Sequence, residues 1–171
     1  MKDIHPELLN KVRLNLFVGS PIFILLGLFF IYPVGLPFRP ETDPLGIWLL
    51  RGSIGAGLLW AAFYTAWTST RWCRRATRAL RECPGHPVRL SLDANQTGAL
   101  IVTAHPVGDA PFAGMYTLCP FPKWDLAGLE DETATAHVDL KPAGPMVLVT
   151  SRGILWPLMN TPAWPVWKKE E

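Results

Sequence analysis

Residues 45–70 read LGIWLLRGSIGAGLLWAAFYTAWTST, and this stretch decides the architecture. Its one charge, Arg51, lies within two turns of the start, where a long side chain can snorkel to a membrane interface. About 20 apolar residues, each rising 1.5 Å in a helix, cross roughly 30 Å of hydrocarbon. Trp48 near one end, with Trp67 and Trp72 near the other, resemble the aromatic belts of membrane–water boundaries. The stretch predicts a transmembrane helix.

Toward the N terminus, residues 16–36 carry no charge. A secretory signal would have a shorter apolar core and a small-residue cleavage site. Here the run passes into Pro33, Pro37 and Pro40, and predicts a second, retained span that Pro21 can kink near its start. Residues 37–44 (PFRPETDP) cannot continue a helix and read as a tight extramembrane turn. The expectation is a two-helix transmembrane hairpin.

Flanking charge orients it. Lys2, Lys11 and Arg13 precede the first span, Arg39 alone lies between the spans, and Arg71, Arg74, Arg75, Arg78 and Arg81 follow the second. By the positive-inside rule both termini are expected in the cytoplasm, with 37–44 outside a cytoplasmic (inner) membrane. The five arginines stand at offsets of 0, 3, 4, 7 and 10, one face of a helix extended to residue 83. Trp72, Ala76, Ala79 and Leu80 fall elsewhere around it, and Pro84-Gly85 stops it.

Beyond residue 83 the period changes. Val88, Leu90 and Leu92 alternate with Arg89, Ser91 and Asp93, a half-buried strand. Residues 95–98 supply a turn, and further strands are expected at 99–104, 112–118, 133–140, 145–150 and 154–158, with 151–153 joining the last two. Eleven prolines between residues 84 and 171 belong at edges and loops. The fold expected is membrane α+β: an anchor at 1–83, then a small antiparallel β-barrel or β-sandwich-like domain at 84–171.

Composition agrees with this division. Of 171 residues 49% are hydrophobic, and the mean hydropathy of +0.18 is high for a soluble chain but low for an all-membrane one. Residues 1–83 hold ten Lys/Arg against five Asp/Glu, whereas 84–171 hold six against nine. A nucleic-acid binder would carry its excess basic charge on the folded domain, so nucleic acid is not expected as a partner. Three sparse cysteines, Cys73, Cys83 and Cys119, form no paired framework and suit a reducing compartment.

The search for chemistry returns little. Cys83 and His86 stand at ligand spacing, but a structural zinc site needs four such ligands and the others are singletons. There is no nucleophile elbow and no phosphate loop, and Glu130-Asp131-Glu132 reads as a solvated loop. No catalytic group, cofactor or metal is expected. Ser53, Gly57 and Ala61, spaced by four, form a small-residue stripe that lets a second helix approach closely in lipid. Its partner is the first span, a second copy or another subunit. The arginine face offers a dock for an acidic partner or anionic headgroups. Trp156, Trp164 and Trp167, interleaved with prolines, fit packing better than an interface.

The expected role is a non-enzymatic accessory or assembly subunit of a larger bacterial-type membrane complex. It would dock through its transmembrane helices and its cytoplasmic β-domain. The alternatives are a membrane-bound enzyme with its site between β-domain and bilayer, where Cys119, His137 and Asp125 come first, and a lipid-interacting envelope module.

Overall fold

The computed structural model describes residues 4–14, 19–31, 45–94 and 98–166. The chain divides into two compact units, Met1–Cys73 and Arg74–Glu171. The division falls inside one helix, so the last turns of that helix belong with the sheet.

In the first unit, helix α1 (Pro6–Leu14) opens with Pro6, whose missing N–H costs nothing at a helix start, and Glu7, which favours the positive end of the dipole. Ile4, Leu8 and Val12, four apart, are buried. Helix α2 (Ser20–Ile31) is apolar throughout, and α3 (Leu45–Glu82) runs for 38 residues. At 1.5 Å per residue α3 is about 57 Å long, roughly twice a hydrocarbon layer. Among the described residues, one helix is long and apolar enough to cross a membrane, Gly46–Glu82.

Helix α2 as described spans 12 residues, about 18 Å, and falls short of a crossing. The expected two-helix transmembrane hairpin thus gives way to one candidate spanning helix with a shorter apolar helix against it. The remainder of the 16–36 stretch, and the 37–44 turn, lie outside the described residues. The two helices meet at glycines: a Cβ on Gly27 would stand 3.0 Å from the Gly55 carbonyl oxygen and 3.0 Å from Leu59. Ser20 donates from its hydroxyl to the Ala62 carbonyl, at 3.4 Å.

The second unit begins with the last turns of α3. Ala76, Thr77 and Ala79 are buried, and the helix runs into Cys83-Pro84 where it stops. Seven antiparallel strands follow: β1 (Gly85–Ala94), β2 (Leu100–Pro106), β3 (Met115–Cys119), β4 (Thr133–Val138), β5 (Met146–Thr150), β6 (Gly153–Leu155) and β7 (Trp164–Pro165). Their order is β6-β5-β4-β1-β2-β3-β7, which puts β1 in the middle. The alternation that predicts β1 is the one observed, with Val88 and Leu90 buried and Arg89 exposed.

The sheet is open rather than closed: no ladder joins β6 to β7 among the described residues. The expected barrel or sandwich is therefore a single curled sheet. The chain after β6 bridges its two ends without pairing them as strands. Leu158 donates to Leu118 beside β7, Thr117 donates to Pro162, and Ala163 donates to Gly144 just before β5.

One face carries the core. Val88, Leu90, Leu100, Val102, Ala104, Cys119, Ala134, Ala136, Val138, Met146, Leu148 and Leu155 pack together. Leu129, from a single 3₁₀ turn at Leu129–Asp131, packs among them, with Trp124 and Leu126 at its margin. The loop carrying that turn is pinned by Leu92, whose N–H donates to Glu130 at 2.6 Å. The Glu130-Asp131-Glu132 run is thus partly structural. Glu132 accepts from the Ser151 hydroxyl and pairs with Arg152 at 2.8 Å, closing the β5–β6 turn onto the loop.

The Ser151 hydrogen bond, then the Arg152 guanidinium, hold the Glu132 carboxyl below its usual range. A folded-state pKa below the unfolded one contributes stability above the unfolded pKa and loses it as pH falls through the folded one. Melting temperature should therefore drop between about pH 5 and pH 3 less steeply in Glu132→Gln than in the wild type. Parallel slopes for the two proteins would remove Glu132 from the acid response.

Candidate functional site

Two features draw attention: the basic face of α3 and the apolar surface of the two longer helices. On α3, Arg71, Arg74, Arg78 and Arg81 are exposed, as the helical spacing predicts. Arg75 differs. It is half-buried and pairs with Asp139 at 3.3 Å, holding the turn after β4 against the helix. Arg78 lies 3.6 Å from Glu82 one turn on, an exposed pair of small energetic consequence.

Along α2 and α3 the large apolar side chains point outward. Leu25 is 67% exposed, Leu49 64%, Trp60 66% and Phe63 60%. Trp60, Phe63 and Trp67 form a ridge, each ring centroid 6.2 Å from the next. Water would penalise such a surface; at about 25 cal/mol per Å² of apolar area, a ridge of this size favours any apolar environment by several kcal/mol.

The expected small-residue stripe lies away from the α2–α3 seam. Gly57 has nothing within 4 Å of where a Cβ would stand, Ser53 is exposed and donates to Leu49 on its own helix, and Ala61 is half-buried. The seam uses Gly55, Leu59 and Ala62 instead. Gly55 and Ala62 are seven apart, a spacing that also places them on one face but without the uninterrupted four-residue repeat that singled out the stripe.

The residues expected for an enzyme do not converge. Cys119 is fully buried in the core on β3. His137 lies on β4 between Ala136 and Val138, both core-facing, so it points to the opposite side of the sheet. Two strands separate β3 from β4, which at about 4.8 Å per strand puts them roughly 14 Å apart. Asp125 is exposed and accepts from the Ala127 N–H.

His137 Nδ1 stands 3.0 Å from the Cys83 carbonyl oxygen; a carbonyl only accepts, so that nitrogen carries the proton and donates. The bond ties β4 to the end of α3. Burial, and then the carboxylates of Asp139 and Glu82, raise the Cys83 thiol pKa, keeping it protonated and a poor nucleophile. Among the described residues no three His, Cys, Asp or Glu side chains gather as a metal would require.

Of the tryptophans near the C terminus, Trp156 is buried and Trp164 stacks on Tyr116 with centroids 5.3 Å apart. Both serve packing; Trp167 lies outside the described residues. Sequence reasoning missed the Arg75–Asp139 clasp, and the signal available for it was weak: an acid one residue beyond a strand. No known protein family, curated protein or solved structure matches this chain.

Proposed function

We propose that this protein is a non-enzymatic accessory or assembly subunit of a larger membrane complex. Helix α3 crosses the bilayer, the uncharged 16–36 stretch that contains α2 makes a second crossing beside it, and the β-domain works at the cytoplasmic surface with both termini on that side. The observation that carries this reading is the outward-facing apolar surface of α2 and α3, together with the open Ser53–Gly57 face on α3. Lipid accommodates the large side chains, while the small-residue face leaves room for a partner helix, either another subunit or a second copy. Arg71, Arg74, Arg78 and Arg81 supply a basic collar just beyond the apolar stretch, as positive-inside topology requires. Among the described residues, Cys119 and His137 lie on opposite faces of the sheet and Asp125 is in an exposed loop, which gives the enzyme reading no support from these three.

The test is gentle solubilisation from the native membrane. The protein should run in a complex of fixed stoichiometry, and behaviour as a single chain would overturn the assembly role. Topology is tested separately: a reporter after Glu171 should act as cytoplasmic, and one near Thr42 as external. Protease access to the C terminus in intact cells would reverse the orientation.

A charge variant separates docking from topology. Arg74, Arg78 and Arg81 changed together to Gln should keep the orientation, because Arg71, Arg75 and the N-terminal charges remain. Attachment to an acidic partner should weaken, most visibly at low salt where screening is least. Unchanged attachment at every ionic strength would leave these arginines as an orientation signal alone.

A further inference from the structure

We propose that the turn at 139–143 is a second point of membrane contact, through which the β-domain rests on anionic lipid. Leu140 is 58% exposed at a loop tip, the most exposed large apolar side chain described in the β-domain, and Lys141 beside it is exposed as well. The turn presenting them is rigid. Asp139 donates from its backbone to Pro145 at 3.0 Å, Gly144 donates to Lys141 at 2.8 Å, and the Asp139 carboxylate caps the Lys141 N–H at 3.2 Å. The same carboxylate is clasped by Arg75, which fixes the turn to the helix five residues after Thr70, the end of the apolar stretch. A fixed leucine for the acyl-chain boundary, next to an exposed lysine, complements a negatively charged headgroup layer. The acids nearby are engaged: Asp139 by Arg75, and Glu82 by Arg78.

This inference rests on α3 lying in a membrane, and the experiment tests the two separately. Full-length protein with Cys83→Ser receives a bimane label at Leu140→Cys, Phe121→Cys or Phe63→Cys. Each is reconstituted into vesicles of phosphatidylcholine alone, or of phosphatidylcholine with an equal part of phosphatidylglycerol, with brominated acyl chains as quencher. Phe121 is the control on the sheet: it is 50% exposed but follows Cys119, which pairs with Leu100, the partner of Ala94 at the far end of β1. His137 and the 139–143 turn lie at the other end, beside Gly85.

The label at 140 should be quenched in the anionic vesicles and much less in neutral ones, the label at 121 in neither, and the label at 63 in both. Lys141→Gln should lower the docked population about fivefold, the effect of roughly one basic residue at such a surface. Quenching at 63 without quenching at 140, or quenching at 140 that ignores lipid charge, overturns the contact and leaves the membrane reading standing. An unquenched label at 63 overturns both.

Discussion

Gly144→Ala should unfold the β-domain at temperatures where the wild type is still folded. Gly144 is buried in the turn between β4 and β5, and a Cβ there would fall on the Asp139 carbonyl oxygen and stand 2.7 Å from its carbon. Both are backbone atoms, so no side-chain rotation relieves the overlap. Nor can the turn drift away, because Gly144 donates to Lys141 and its own carbonyl accepts from Ala163, while Asp139 is held by Pro145 and Arg75. The expected loss is about 3–5 kcal/mol, in the range reserved for substitutions that break packing outright. For a domain of this size that corresponds to a melting temperature lower by some 15 °C or more. Thermal melts followed by near-ultraviolet circular dichroism would read it; a melt within about 2 °C of wild type would mean that the turn yields freely.

The second large effect belongs to the helices. Gly55→Leu should separate α2 from α3, because its side chain would be built onto Ile31 and 2.8 Å from the Gly27 carbonyl. The pair Ser20→Cys and Ala62→Cys, placed where the serine hydroxyl and the alanine carbonyl are 3.4 Å apart, reports the contact by oxidative crosslinking. In a background without other reactive thiols, Gly55→Leu should reduce that crosslink at least about tenfold, the equivalent of roughly 1.4 kcal/mol. Gly57→Leu should leave it intact, since space is open there, and should act only on association with a partner. If both variants crosslink normally, the glycine seam does not hold the helices together; if both lose the crosslink, the two faces are not independent.

The contrast between those glycines shows what the sequence makes legible. Alternation marks strands directly, so six of the seven were found to within a few residues, from Val88 and Leu90 in β1 to the Ser151-Arg152-Gly153 turn. The seventh is two residues long and contains Pro165, too short for any period. The length of α3 beyond the apolar stretch is legible in its arginines, but their spacing alone does not set Arg75 apart from the rest. At about 100° per residue Arg75 falls roughly 40° past Arg71, on the border of the arc, and only the fold reveals that Asp139 waits there. Closure of the sheet was beyond reach for a different reason. Periodicity reports which face of a strand is buried, but not whether the first and last strands meet. Likewise Gly27 and Gly55 come from different helices, and neither sequence segment contains the other's spacing.

The place of β1 in the sheet has a mechanical consequence. The chain passes from α3 through Cys83 and Pro84 straight into the middle strand, which is bonded to β4 on one side and β2 on the other. Tension on the helix must shear two ladders at once, and the His137 bond to Cys83 adds a third restraint at the point of entry. A pull on the C terminus meets first the two-residue ladder of β7 with β3, and then single bonds to Gly144, Thr117 and Leu118 that break one at a time. The domain should therefore be hard to tear from its helix but easy to unzip from its tail. A motor that grips the C terminus would find the weak end, whereas lateral forces arriving through the helix would meet the strong one.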